Sequence, residues 1–155
     1  MRDRNHKKPV VLAVSSGGGH WVQMQHLSPA FAGADLHYAT TDVSAKDRLT
    51  TARVHIYPDA NKDTPLRLLA CFVRLAWIVA RVRPDVVIST GAAGGFLAIR
   101  LARLIGARTM FIDSIANART LSISARLSMG VADRVLSQWP TVARTSGAEY
   151  RGAVI

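Results

Sequence analysis

The sequence predicts an α/β domain built on a doubly wound parallel sheet, and three observations carry that prediction. Apolar runs of strand length alternate with longer helical segments from residue 10 onward. The runs Val10-Val11-Leu12-Ala13-Val14 and Val86-Val87-Ile88 are continuous, as strands covered on both faces require. Polar or glycine-rich turns follow the first, fourth and fifth strands, at the end of such a sheet where ligands bind.

The first strand is expected over Val10–Ser15. The charged start, Met1–Lys8, reads as a basic flexible tail, which leaves residues 9–155 as a single domain. Ser15-Ser16-Gly17-Gly18-Gly19-His20 then forms a strand-to-helix turn, with a helix near His20–Phe31. Strands follow at Asp35–Ala39 and Val54–Tyr57, then a long helix near Leu66–Arg83 that Pro84 stops. The fourth strand, Val86–Ser89, enters the turn Ser89-Thr90-Gly91-Ala92-Ala93-Gly94-Gly95 and a helix near Gly94–Leu104, ended by Gly106. A fifth strand at Thr109–Ile112 leads to Asp113-Ser114, a helix near Leu121–Gly130 and a sixth strand at Arg134–Leu136.

With 155 residues and 49% hydrophobic content the chain can bury a real core, which excludes a disordered protein. A net charge of +10 and a pI near 11.0 point to an anionic partner: nucleic acid, an acidic membrane surface or a phosphorylated substrate. Cys71 is the single cysteine, so neither an internal disulfide nor a cysteine-based zinc site can form. No carboxylate cluster suggests a metal site, and no cofactor is expected. The basic start lacks a secretory pattern and no stretch reaches about 18 apolar residues, so the chain is expected to face the cytoplasm without a transmembrane helix.

The Ser16–His20 turn aims backbone N–H groups and a helix N-terminus at one point, an arrangement that holds phosphate or another anion. His20 adds a candidate general base. As a dinucleotide fingerprint the turn fails, because the third glycine position counted from Gly17 holds Val22. Asp42 is spaced for a ribose contact, but one aspartate is thin support. No Walker lysine follows the glycines, which excludes an ATP-type P-loop. A tight turn without ligand, with His20 capping or packing, is the other reading.

Arg67, Arg74 and Arg81 recur every seven residues along the Leu66–Arg83 helix and form one stripe. Phe72, Leu75, Trp77 and Ile78 lie among them, giving more apolar surface than one sheet face covers. A mid-helix arginine would cost about 2.5–3.5 kcal/mol in a bilayer core, so the helix should not span. It suits the membrane interface, where arginines meet lipid phosphates, or a surface under a partner subunit with the arginines reaching out.

The C-terminal half carries the most specific signal. Ile112-Asp113-Ser114-Ile115-Ala116-Asn117-Ala118-Arg119-Thr120-Leu121-Ser122-Ile123-Ser124 precedes Ala132-Asp133-Arg134-Val135-Leu136-Ser137-Gln138-Trp139-Pro140, and the sequence closes on Tyr150-Arg151-Gly152-Ala153-Val154-Ile155. Together with Ser16–His20 and Pro84–Ile88, these stretches resemble the membrane-recruiting subunit of the split UDP-N-acetylglucosamine transferase of asparagine-linked glycosylation. They also resemble its bacterial relatives, enhancer subunits of capsular and exopolysaccharide glycosyltransferases.

The resemblance implies a Rossmann-like fold equivalent to the N-terminal half of a two-domain GT-B glycosyltransferase. The nucleotide-sugar half would be a separate subunit, and this chain would be inactive alone. It implies a polyprenyl-diphosphate-linked acceptor, transfer with inversion in bacterial polysaccharide biosynthesis, and peripheral attachment to the cytoplasmic face of the inner membrane. His20 and Asp113 are the expected catalytic pair, either as base or as orienting group. Ser16, Gly17, Gly18, Gly19, Gly91 and Ser114 are expected at the acceptor diphosphate. Arg67, Phe72, Arg74, Trp77 and Arg81 are expected at the membrane or a partner, and Gln138, Trp139 and Pro140 at the cleft or subunit interface. Eukaryotic members carry glutamate where Asp113 stands and an N-terminal membrane anchor not seen here. Three readings compete with this one: a non-catalytic scaffold, a dinucleotide-binding protein and a nucleic-acid-binding module. The last is disfavoured because no recognition signature accompanies the charge, and no nucleic-acid partner is expected.

Overall fold

The computed structural model describes residues 7–61 and 63–154; most of the expected tail, residues 1–6, lies outside them. The chain forms a seven-stranded all-parallel sheet in the order β3-β2-β1-β4-β5-β6-β7. The strands are β1 (Val10–Ser15), β2 (Asp35–Thr40), β3 (Arg53–Ile56), β4 (Val86–Ser89), β5 (Arg108–Ile112), β6 (Arg134–Ser137) and β7 (Glu149–Tyr150). The helices are α1 (Gly19–His26), α2 (Ala45–Arg48), α3 (Pro65–Val82), α4 (Ala92–Leu104), α5 (Ile123–Ser128) and α6 (Pro140–Ser146). The expected doubly wound α/β architecture is therefore present, with the ends of the six expected strands moved by at most one residue.

Three elements were not expected: α2, α6 and β7. Two helices differ in extent. The first stops at His26, and a 3-10 turn over Ser28–Phe31 replaces its continuation, because Pro29 has no N–H to give to a fourth-residue carbonyl. The segment expected from Leu121 becomes helical only at Ile123, where Ser122 caps it by accepting the Ala125 N–H at 3.0 Å.

Alternating side chains of β1 divide the core. Leu12 and Val14 pack with Cys71, Leu75, Ile78 and Val79 of α3, Ala98 and Ile99 of α4, Ala125 of α5 and Val142 of α6. Val11 and Ala13 pack with Trp21 and Met24 of α1, Phe31 and Ala45 on the opposite face. Reversal of strand order between β1 and β4 produces this division, since right-handed crossovers that travel in opposite directions deposit helices on opposite faces. Burying a side chain such as Leu12, Leu75 or Ile99 contributes about 1.5–3 kcal/mol relative to exposure. This core holds the loops at the carboxyl ends of β1, β4 and β5 against one another.

Candidate functional site

The loops leaving β1 and β4 start from neighbouring strands and part toward opposite faces, which opens a crevice at their ends. The β1 loop is pinned by Gly17, whose N–H donates to Thr41 Oγ1 at 2.8 Å. That amide is thus committed inside the protein. Gly18 takes φ 65°, turning the chain into α1. The N–H groups of the first turn of α1 have no acceptor within the helix, and Gly18 and Gly19 are exposed. Anion-binding capacity therefore rests on the residues from Gly18 onward, with half-buried Ser16 beside them.

His20 reaches from α1 to the end of β4. Its Nδ1 lies 2.9 Å from the Thr90 carbonyl oxygen, which can only accept, so Nδ1 is the donor and in the neutral ring Nε2 carries the lone pair. Thr90 Oγ1 donates in return to the His20 carbonyl at 2.8 Å. Gly91 makes room for the ring: a Cβ there would stand 2.4 Å from His20 Nδ1, and its φ of 140° suits glycine alone. The Gly91 N–H donates to Ser89 Oγ at 3.2 Å, so this residue serves the site as space and not as an anion ligand. Ala92, the first residue of α4, holds a left-handed φ of 67° without glycine's freedom, a strain of about 1–3 kcal/mol beside the histidine.

The loop after β5 closes the other side. Asp113 is 2% exposed and its carboxylate is engaged on both oxygens: Oδ1 accepts from Asn117 Nδ2 and Oδ2 from the Ser122 N–H, each at 2.9 Å. Its own N–H donates to the Leu136 carbonyl at 2.8 Å, and its carbonyl accepts from Gln138 Nε2 at 2.9 Å. Of the two roles expected for Asp113, this geometry fits orientation, because the carboxylate is buried and each oxygen holds a group of its own loop. The carboxylate instead folds residues 114–122 into a wall facing His20.

Between them lies a cavity of about 310 Å³, lined by His20 and Ala92 on one side and by Ser114, Ala116, Asn117, Ser122, Ile123 and Ser124 on the other. His20 and Ser114 thus line one cavity. Asn117, Ser122 and Ser124 were not singled out as site residues, although all three stand in the Ile112–Ser124 stretch that carries the resemblance. Asp42 offers no ribose acceptor, since Ser44 N–H at 3.0 Å, Ser44 Oγ at 2.6 Å and Arg48 occupy its carboxylate. The hydroxyl bond from Ser44, the N–H beside it and the Arg48 charge keep Asp42 below the usual carboxylate range despite some desolvation.

Gln138 is buried and linked to Asp113 and, through Oε1, to the Val154 N–H at 2.7 Å. It ties the rim loop to the C-terminal stretch and does not reach the surface. Trp139 is 38% exposed, with Nε1 donating to the Ile115 carbonyl at 2.7 Å, and Pro140 opens α6.

Helix α3 buries Cys71, Leu75, Ile78 and Val79 and leaves Leu66, Leu69, Phe72, Val73 and Trp77 exposed. Arg67 and Arg81 are exposed, whereas Arg74 turns inward: its Nε donates to the Ile56 carbonyl at 3.0 Å and its guanidinium lies 4.6 Å from the Trp77 ring centre. The layer formed by α3, α4, α5 and α6 carries Arg67, Arg74, Arg81, Arg100, Arg103, Arg126 and Arg144, and none of these helices contains an aspartate or glutamate. Among the described residues no helix is long and apolar enough to cross a membrane.

A family model described as oligosaccharide biosynthesis protein Alg14 like matches residues 63–154. The UDP-N-acetylglucosamine transferase subunit ALG14 of Yarrowia lipolytica is 31% identical over 180 residues, covering 97% of this chain and 83% of its own length. MurG of Acinetobacter baumannii shares the fold with a TM-score of 0.74 at 16% identity, over 94% of this chain and 45% of that protein. UDP-N-acetylglucosamine 2-epimerase of Rickettsia bellii matches with a TM-score of 0.71 at 10% identity, over 95% and 45%. HepE of Anabaena, solved in complex with UDP, gives 0.64 at 12% identity, over 92% and 43%. The chain thus spans less than half the length of these solved structures, matching one Rossmann-like portion of each.

Proposed function

Because the chain belongs to the Alg14-like family of oligosaccharide biosynthesis proteins, we propose that it is the acceptor-side subunit of a two-subunit inverting glycosyltransferase. A separate partner subunit binds the UDP-sugar, and the acceptor is a saccharide linked to polyprenyl diphosphate in bacterial polysaccharide biosynthesis. One observation supports this division of labour: the curated relative, matched over 83% of its own length, is named as a transferase subunit.

The observation that carries the reading is the placement of His20. In the neutral ring its Nε2 lone pair is left free on a residue that lines the cavity, and that residue stands in the first turn of α1, whose amides lack acceptors within the helix. The amides and the positive end of α1 take the acceptor's diphosphate. His20 Nε2 removes the proton from the attacking hydroxyl of the acceptor sugar. The new bond forms at the anomeric carbon as the bond to UDP breaks, and the electron pair leaves with UDP, held by the partner. Ser114, Asn117, Ser122 and Ser124 offer hydroxyl and amide groups to the acceptor saccharide, and Asp113 fixes the loop that presents them.

The exposed apolar ridge of α3 and the acid-free arginine layer support attachment to an anionic bilayer, peripherally at the cytoplasmic face of the inner membrane. Arg67 and Arg81 meet lipid phosphates, while Arg74 positions Trp77. The test is reconstitution of both subunits with a UDP-sugar and a polyprenyl-diphosphate acceptor. Replacing His20 by Ala should lower turnover about 10²–10⁴-fold with the complex intact. Unchanged turnover would leave this chain as a scaffold that only recruits its partner.

A further inference from the structure

We propose that Arg53, His37 and His55 form an acid-sensitive latch that locks edge strand β3, and the helix α3 bonded to it, at neutral pH and releases them on acidification. The inference stands on groups remote from the acceptor cavity and does not depend on the function proposed above.

His37 of β2 shares its sheet face with Ala39, and Ala39 pairs with His55 of β3, so both imidazoles lie on the α3 side. The rings stack with centres 5.3 Å apart and planes 10° from parallel. His37 Nδ1 is 3.0 Å from His55 Nε2, and Arg53 Nη1 is 3.1 Å from His37 Nε2. The direction of this chain is forced. A guanidinium only donates, so His37 Nε2 must present a lone pair. Its proton then sits on Nδ1 and is donated to His55 Nε2, which must also present a lone pair. The relay Arg53 to His37 to His55 exists only while both rings are neutral. A second proton on either ring sets two donors face to face.

The surroundings hold the rings in that state. Burial disfavours the charged form of His37; Asp35, 3.8 Å from Nε2, works the other way but is itself held by Arg53 at 3.0 and 3.2 Å. For His55, burial comes first, and His37, Arg74 of α3, Lys46 of α2 and Arg53 all oppose a further positive charge. Both imidazoles are therefore held below their ordinary range. A histidine whose folded value is depressed contributes stability that is complete above the unfolded value of about 6.5 and declines as pH falls below it. The contact that transmits this to α3 is one residue away: Arg74 Nε bonds the carbonyl of Ile56, which follows His55 and ends β3.

The experiment is amide hydrogen exchange of the full chain at pH 7.5 and pH 5.5, corrected for intrinsic rates. Each imidazole can change the opening constant by up to about tenfold per pH unit. Residues 53–56 and the first half of α3 should lose at least tenfold protection at pH 5.5 relative to β4 and β5. In the double variant His37→Gln, His55→Gln that differential loss should vanish. Uniform loss across the sheet, or an unaltered response in the variant, would overturn the latch. If the variant does not fold, ring ¹⁵N shifts of the unmodified chain decide: Nδ1 protonated on both rings with titration below 6.5 supports the relay, and titration at or above 6.5 refutes it.

Discussion

The imidazole of His20 and the carbonyl of Thr90 meet at 2.9 Å although 70 residues separate them in the chain. That bond crosses the crevice between two strand ends and selects which ring nitrogen faces the cavity. Thr90 Oγ1 closes the loop by bonding the His20 carbonyl, so Thr90 holds both the backbone and the ring. The consequences for function follow from this pairing and from the carboxylate that builds the opposite wall.

Substitution of His20 separates chemistry from assembly. His20→Gln should leave subunit association unchanged while turnover in the reconstituted pair falls about 10²–10⁴-fold. Initial rates and gel filtration of the same preparation measure the two. Loss of association with normal turnover per complex would contradict the base assignment.

Gly91→Ala should damage the site without touching its chemistry. The added methyl meets the ring at 2.4 Å and the backbone resists, at φ 140°. A loss of about 1–3 kcal/mol in stability is expected, with a fall in turnover at least as deep as the thermal shift alone explains. A variant as active and as stable as the parent would show that the ring does not depend on this gap.

Asp113→Asn should act on the wall and not on proton transfer. The amide places a donor against Asn117 Nδ2 or the Ser122 N–H, leaving a buried group unsatisfied at a cost of about 1–3 kcal/mol. KM for the acceptor should rise, and the pH dependence of kcat should keep its shape. Disappearance of the acidic limb of that profile, where a base loses activity by taking a proton, would instead make Asp113 the proton acceptor.

Arg67→Gln combined with Arg81→Gln should weaken binding to anionic vesicles. Each arginine near the surface contributes about 1 kcal/mol, so the pair predicts a loss of roughly thirtyfold. Co-sedimentation at low salt is the measurement, with weaker binding of the parent at physiological ionic strength. Equal binding of parent and variant would remove these residues from the membrane surface.

Much of the scaffold was readable because its signals are local. The unbroken Val/Ile/Leu run of β1, the glycines after it and the seven-residue spacing of arginines on α3 are all contained within single elements. What escaped was set by distance or by brevity. The His20–Thr90 bond depends on β1 and β4 being neighbours, which strand order decides and local pattern does not. Asp113 reads as a candidate base in sequence, yet its partners Asn117 and Ser122 absorb both oxygens once the loop closes on itself. β7 has two residues and α2 has four, too short for periodicity to register. Pro29 was the available sign that the first helix would end early.

The helical layer that bears arginines and no acidic residue of its own has a mechanical corollary. In dilute buffer its guanidinium groups push on one another, and among the described residues the Arg103–Asp133 pair is the one salt bridge that compensates them. Mobile counterions must gather there, and whatever displaces them at a fixed negative plane lends firmness to the entire domain. The isolated subunit should accordingly be softer than the docked one, gaining rigidity from polyanions even where they have no specific seat.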